Sequence, residues 1–178
     1  MRLIKKLSVV TMLSATVITV AALWPPWSLF GHGNERGTAT ARFDGGVVTI
    51  EYGRPTLKGR DLLSLIRPGS YWRLGADRAT TLTTEVDLTM GDGQSVAAGT
   101  YTLVLKSLGD DQWSLIVAEG AARGSGEPEG LVAELPMGTN KLDASVEALT
   151  IELSSEGSQG HLSIEWGETQ MVGDFTAA

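Results

Sequence analysis

The sequence predicts an all-β protein, an antiparallel β-sandwich with one short helical turn, preceded by an N-terminal hydrophobic helix. Short runs in which apolar and polar residues alternate give the first evidence for strands. Turn residues separate these runs, and the chain of 178 residues contains 22 glycines. Valine and threonine, which favour strands, recur through the runs. The same pattern fits a barrel-like sheet, so this alternative stays open.

Residues 1–30 have the pattern of an export signal. Arg2, Lys5 and Lys6 give a basic start, and the uncharged apolar run 7–23 follows it. This order is typical of a signal peptide, and cleavage after Ala22 would suit it. Extended to residue 30, the run reaches the length of an uncleaved membrane anchor. In both cases we expect an exported, periplasmic or extracytoplasmic protein, either secreted or membrane-anchored through residues 1–30.

The rest of the chain predicts a linker at residues 31–37 and a single β-sandwich domain at residues 38–178. The linker is rich in glycine and polar residues, and the remaining length suits one domain with its own core. The chain has no cysteine, which excludes disulfides, thiol nucleophiles and thiolate metal sites.

Within the domain, alternation predicts a series of short strands separated by turns. These strands cover residues 47–52, 80–90, 100–106, 113–118, 131–135, 144–153, 160–166 and 169–175. Residues 60–66 suit one or two helical turns, and the pair Asp92-Gly93 marks a tight turn. Residues 119–130, rich in glycine and charge, predict a mobile loop. Residues 131–135 are expected to form a short edge strand.

The charge of the chain is unevenly distributed. Removing residues 1–30 takes away three basic residues and no acid, so the net charge changes from −7 to −10. We expect no nucleic-acid partner, because phosphate repels an acidic domain. Residues 52–81, which we call the basic segment, are the exception. They hold six basic residues and two acids, a local charge of +4.

The basic segment is the predicted binding site for an anionic group, either a small molecule or a polysaccharide. Arginine and lysine bind carboxylates and phosphates, and tyrosine or tryptophan can stack on a ring. The candidate ligand-binding residues are Tyr52, Arg54, Lys58, Arg60, Trp72, Arg73, Asp77 and Arg78. The alternative interpretation is structural, with the arginines pairing with acids on neighbouring strands and fastening the segment to the sheet.

Catalytic and metal chemistry find little support in the sequence. Of the two histidines, His32 lies in the predicted linker and His161 in a predicted strand, so we expect no metal, no cofactor and no catalytic residue. Asp77 is the best candidate acid, but Arg73 and Arg78 beside it favour its ionised form. The sequence therefore predicts a non-catalytic binding or scaffolding module. The alternatives are a structural or partner-binding envelope protein without a small-molecule site, and a weakly supported hydrolase.

Four motifs of the chain resemble one known family. They are Tyr52-Gly-Arg-Pro-x-x-Lys-Gly-Arg60, Trp72-Arg-x-Gly-Ala-x-x-Ala-Thr80, Ala98-Gly-Thr-Tyr101 and Trp113-Ser-Leu-Ile116. In residue type, order and spacing they resemble the bacterial family called domain of unknown function 2911, over roughly residues 40–175. The resemblance implies an exported or membrane-attached β protein and no established activity. Where that family usually has Asn-Glu, this chain has Asp77-Arg78, so a ligand contacting this pair is expected to differ.

Overall fold

A computed structural model of the chain describes residues 34–61, 63–121 and 126–178. The predicted N-terminal hydrophobic helix and residues 122–125 of the predicted mobile loop lie outside the described residues. Among the residues that are described, no helix has the length and apolar character needed to cross a membrane. The first strand begins at Glu35, so residues 35–37 of the predicted linker belong to a strand.

The described part of the chain is all-β, as the alternation predicts, and its strands form one large antiparallel sheet. They are β1 (Glu35–Phe43), β2 (Gly46–Arg54), β3 (Tyr71–Arg73), β4 (Thr80–Thr84), β5 (Leu88–Met90), β6 (Gln94–Val96), β7 (Gly99–Gly109), β8 (Gln112–Ala118), β9 (Leu131–Glu156) and β10 (Gln159–Ala177). A single 3-10 turn, Leu63–Leu65, lies inside the segment predicted to be helical.

The order of strands across the sheet is β1, β2, β4, β7, β8, β9, β10, β5, β6, and β3 pairs with the part of β7 beyond β4. No ladder joins β1 to β6 among the described residues, so the sheet is open. Four of the nine neighbouring pairs of described strands, β1–β2, β5–β6, β7–β8 and β9–β10, are antiparallel hairpins joined by turns of two or three residues. At the β7–β8 turn, Asp110 and Asp111 both have positive φ values, 49° and 57°. This conformation matches the right-handed twist of the strands.

The two longest strands, β9 and β10, differ most from the sequence prediction. Residues 131–137 of β9 pair with β8, and residues 138–156 of the same strand pair with β10. The prediction of a short strand at 131–135 is wrong in its length, because this segment continues into the 26-residue β9. Among the described residues its ladder joins β8 alone, which agrees with the predicted edge position. β10 likewise joins two predicted strands. The register of β10 shifts around Gly167, whose φ of +63° bends the strand without ending it.

The single strand predicted over residues 80–90 is also wrong, because the structure divides it into β4 and β5. β4 pairs with β2 and β7, whereas β5 pairs with β6 and β10. Between them the Thr84 hydroxyl donates to the carbonyl of Val86 (2.6 Å) and accepts from its amide (3.3 Å). The apolar–polar alternation continues through residues 80–90 because every second side chain still enters the protein interior.

The buried apolar residues of the described chain form one hydrophobic core. Its members come from strands on both sides of β8 in the strand order, and they include Ile50, Leu82, Leu103, Ile151, Leu162 and Ile164. The opposite sides of β2, β4 and β9 carry threonine and acidic residues that are exposed or half-buried. These strands therefore have one face buried and one face in water, as antiparallel sheets commonly do, whereas β8 is buried on both faces.

Two glycines let the loop after β3 approach β2 closely. A Cβ atom on Gly53 would lie 2.2 Å from the carbonyl oxygen of Ala76, and a Cβ atom on Gly75 would lie 2.9 Å from the carbonyl oxygen of Gly53. Gly75 also has a φ of +100°, which favours glycine. The glycines of two separate sequence motifs therefore meet at one backbone contact.

We expect Gly53→Ala to lower the free energy of unfolding by about 2 to 3 kcal/mol, because the new methyl group would overlap backbone that cannot rotate away. Gly138→Ala is the matched control in β9, where a Cβ atom meets only ordinary contacts at 3.4 Å or more. Urea unfolding of both variants checks this. Equal stabilities of the two variants would contradict the close contact.

Candidate functional site

Tyr52 is part of the core and lies beneath the surface. Its side chain is 3 % exposed, and its hydroxyl accepts a hydrogen bond from the amide of Ile151 (2.8 Å) and donates one to the carbonyl of Ile151 (3.3 Å). The ring passes close to Gly37, where a Cβ atom would lie 2.5 Å from it. Tyr52 therefore hydrogen-bonds the backbone of β9 and does not stack on a surface ligand.

Arg54 lies on the same line of contact, which we call the seam. The seam is where Tyr52 and Arg54 of β2 face residues 149–151 of β9. The Nε of Arg54 donates to the carbonyl of Leu149 (3.1 Å), and one terminal nitrogen donates to the hydroxyl of Thr150 (3.3 Å). The other terminal nitrogen is 3.6 Å from the carboxylate of Glu35. These contacts support the structural interpretation for Arg54.

Lys58 and Arg60 lie beyond the seam, on the next part of the basic segment. The backbone amide of Lys58 donates to the carboxylate of Glu147 (2.8 Å), and the Nε of Arg60 donates to the carbonyl of Leu57 (3.0 Å). Within the described part of the chain, neither side chain has a carboxylate within 4.0 Å. Arg60 is thus held by its own segment, whereas the ammonium group of Lys58 is exposed.

Trp72 is half-buried on β3 and stacks on Trp166 of β10. The ring centroids are 5.3 Å apart and the ring planes differ by 11°. This packing joins β3 to the core and uses one face of the Trp72 ring. Trp166 was not among the sequence-predicted residues. A tryptophan at the end of a predicted strand gave no signal that distinguished it from an ordinary core residue.

Asp77 has a left-handed backbone conformation, with a φ of +63°, that Asp and Asn tolerate best among non-glycine residues. Its carboxylate accepts hydrogen bonds from the backbone amide of Asn34 (2.8 Å) and from the side-chain amide of Asn34 (3.2 Å). These two bonds, and then the positive charges of Arg73 and Arg36, hold the pKa of Asp77 below its ordinary value. Asp77 is therefore an acceptor that fastens the start of β1, and it is poorly suited to donate a proton.

Three exposed arginines lie around this loop, and we call them the arginine cluster: Arg36, Arg73 and Arg78. Arg36 and Arg73 both act on the Asp77 carboxylate through space, and Arg78 follows it in the chain. Across residues 34–61, 63–121 and 126–178, none of the three has a carboxylate within 4.0 Å. Their charges are therefore available to solvent or to a ligand.

Two of the clefts lined by described residues lie beside the predicted site residues. The larger, which we call the tryptophan cleft, has a volume of about 1160 Å³ and is lined by Arg60, Trp113, Lys141, Trp166 and other residues. The smaller one, about 760 Å³, runs along the seam past Arg54 and His161. His161 Nδ1 lies 2.6 Å from the Asp174 carboxylate there, a pair that the sequence did not predict because 13 residues separate its members.

The eight predicted ligand-binding residues are therefore not brought into one pocket. Tyr52 and Arg54 lie on the seam, Lys58 lies beside Glu147, and Arg60 borders the tryptophan cleft. Trp72 packs on Trp166, Arg73 ends β3, and Asp77 and Arg78 lie in the exposed loop that follows. A search of the described residues finds no group of three or more His, Asp or Glu side chains that could hold a metal ion.

The fold and these sites define an antiparallel all-β domain with two open clefts and an exposed arginine cluster. The family described as protein of unknown function (DUF2911) matches residues 34–174, and the chain belongs to this family. The match confirms the resemblance that the four sequence motifs indicate. No curated protein and no solved structure gives a significant match to the chain.

We expect Tyr52→Phe to lower the free energy of unfolding by about 1 to 3 kcal/mol, because it leaves the buried amide of Ile151 without an acceptor. Tyr101→Phe is the matched control, since the Tyr101 hydroxyl donates only to the exposed Ala97 carbonyl at 2.9 Å. Chemical denaturation of both variants measures the difference. A smaller loss for Tyr52→Phe than for Tyr101→Phe would be the contrary result.

The lowered pKa of Asp77 predicts a pH-dependent contribution to stability. A carboxyl group whose pKa is lower in the folded state stabilises the fold above the unfolded pKa, and this contribution disappears as the pH falls through the folded pKa. Asp77→Asn keeps a residue that tolerates positive φ and removes the charge. We therefore expect the stability difference between wild type and Asp77→Asn to shrink as the pH falls from about 5 to about 2. Asp92→Asn, in an exposed turn, is the control, and a difference independent of pH would contradict the assignment.

Proposed function

We propose that this protein is a non-catalytic binding module of the bacterial envelope, and that its arginine cluster binds an anionic ligand. The main support is that Arg36, Arg73 and Arg78 lie exposed around one loop, and that none of them has a carboxylate within 4.0 Å in the described part of the chain. Arg42, Lys58, Arg60 and Arg67 also have no carboxylate within 4.0 Å among the described residues, so the missing ion pair alone does not distinguish the cluster. The distinguishing feature is that three exposed guanidinium groups lie near one loop in a domain whose net charge is −10 without residues 1–30.

The ligand class follows from the chemistry of the guanidinium group. Each arginine presents a planar fork of N–H donors that matches a carboxylate or a phosphate in two places. Several such groups spaced over a surface suit a polymer with repeated anionic groups, such as an acidic polysaccharide, as well as a small anion. Because the cluster is exposed, the interaction is strong at low ionic strength and weakens with added salt.

A non-catalytic role is supported by the way the acidic groups are used. The Asp77 carboxylate already accepts two hydrogen bonds from Asn34, and its pKa is lowered, so it is a weak candidate for a general acid. The basic start and apolar run of residues 1–30 support export and attachment to the membrane. The two halves of the sheet share one core, which supports a β-sandwich over a barrel.

The alternative is a structural or partner-binding envelope protein without a small-molecule site. Arg54 favours it, because all three of its nitrogens contact protein groups at the seam. The same interpretation does not account for Arg73 and Arg78, because neither has a carboxylate within 4.0 Å among the described residues. The two proposals therefore differ in what they predict for the arginine cluster.

The test measures binding of the full chain to polygalacturonate and to inorganic phosphate at low salt, with neutral dextran as the ligand control. We expect the double variant Arg73→Gln and Arg78→Gln to bind the anionic probe about five- to tenfold more weakly, since each exposed charge pair contributes up to about 1 kcal/mol. Arg42→Gln is the matched control, an exposed arginine on β1 away from the loop. Equal binding of both variants, or binding insensitive to salt, would exclude the cluster as the site.

A further inference from the structure

The tryptophan cleft has an apolar floor and an apolar lip. Trp113, Met137 and Trp166 line the floor and are buried, while Leu63 is half-buried on one wall. Leu108, at the β7–β8 turn, also lines the cleft and is 46 % exposed, one of few large apolar residues so exposed in the described chain. An exposed leucine beside a cleft suits contact with an apolar side chain.

The rim of the cleft is acidic, in contrast to the arginine cluster. Its charged members are Asp61, Asp110, Asp111, Glu147 and Glu168 against Arg60 and Lys141. Lys141 is already paired with Glu168 at 3.1 Å, and Arg60 donates to a backbone carbonyl. Within the described residues, the carboxylates of Asp61, Asp110 and Asp111 have no cation within 4.0 Å. The rim therefore favours a cationic ligand.

Trp166 supplies a second, independent observation. Its side chain is 3 % exposed, and its Nε1 is buried without a hydrogen-bond acceptor among the described residues. A buried donor without an acceptor destabilises a protein by about 1 to 3 kcal/mol, so such donors are rare unless a ligand or water supplies the acceptor. The Nε1 atom is closed to solvent in this structure, so a ligand carbonyl reaches it when a side chain lining the cleft moves aside. Stacking on Trp72 holds the indole ring in this position.

The backbone of β9 is irregular beside the cleft. Lys141 pairs with Thr169 and Val146 with Gly167, so residues 142–145 of β9 face the single residue Glu168 of β10. Residues in a bulge of this kind lack regular ladder partners. Their peptide groups add donors and acceptors near the rim.

We propose that the tryptophan cleft binds an extended, cationic peptide segment of a partner protein. A peptide combines the three features that the cleft calls for: lysine or arginine for the acidic rim, an apolar side chain for the floor and Leu108, and carbonyl oxygens as acceptors for an indole N–H. A simple polyamine has the charge but lacks the apolar side chain and the carbonyl. The volume of about 1160 Å³ also exceeds what a small amine fills. This site has the opposite charge to the arginine cluster and does not depend on it.

The experiment uses the full chain and three end-blocked pentapeptides: Gly-Lys-Leu-Lys-Gly, Gly-Lys-Ser-Lys-Gly and Gly-Glu-Leu-Glu-Gly. Titration is followed by the NMR signal of the Trp166 indole N–H, assigned by its loss in Trp166→Phe. We expect the lysine–leucine peptide to bind most tightly, at least about fivefold above the other two, and to shift the indole signal. Each mismatched peptide lacks one of the features that the cleft offers.

The matched variants change charge and keep the turn. Asn tolerates positive φ as well as Asp, so Asp110→Asn with Asp111→Asn preserves the β7–β8 turn. We expect this pair to weaken binding of the lysine–leucine peptide about threefold to tenfold, and Asp92→Asn to leave it unchanged. The proposal fails if the glutamate or serine peptide binds equally well, if the double variant binds as wild type, if the indole signal does not move, or if spermine binds as tightly as the peptide.

Discussion

The hydrogen bonds between the Tyr52 hydroxyl and the backbone of Ile151 are the interaction on which the rest of the structure depends. The sheet is open, and β2 meets the edge of β9 without a ladder of its own at this point. A buried strand edge is unfavourable, because each unpaired peptide group loses its hydrogen bonds to water. Side chains join the two strands here: Tyr52 bonds Ile151, Arg54 bonds the carbonyl of Leu149, and Gly37 leaves room for the tyrosine ring. Just beyond β2 the backbone also pairs with β9, because Thr56 forms a bridge with Ala148 and the amide of Leu149 donates to the carbonyl of Pro55 (3.0 Å).

This arrangement divides the basic segment into two groups with different physical roles. Arg54 donates to the carbonyl of Leu149 at the seam, and Arg60 donates to the carbonyl of Leu57 in its own segment. Both guanidinium groups therefore stabilise the fold. Arg73 ends β3, and the loop that follows it packs Ala76 against Gly53 and carries Asp77 and Arg78. In this loop the one acidic residue, Asp77, accepts two hydrogen bonds from Asn34. The local charge of +4 therefore combines structural and unpaired arginines, which a count of residues cannot separate.

The sequence predicted the all-β class, most strands and the short helical turn, because alternation and turn residues are local properties. β2, β7 and β8 follow the alternating runs closely. The break at Glu85 and the long course of β9 were missed, because alternation records which residues face the core but not which strand lies beside them. The site was predicted less well for the same reason. Composition identified an excess of arginine, whereas the partners of Arg54, the acceptor role of Asp77 and the unpaired Nε1 of Trp166 depend on residues distant in sequence.

At Ile151 the hydroxyl of Tyr52 takes the place of a neighbouring strand, on the side of β9 opposite β10. Amide hydrogen exchange at Ile151 tests this most directly, because its N–H has the Tyr52 oxygen as acceptor at 2.8 Å. We expect slow exchange of this amide in the wild type, and much faster exchange in Tyr52→Phe under conditions where amides in the centre of β7 keep their protection. Unchanged protection of Ile151 in that variant would show that another group holds the edge, and would contradict the account.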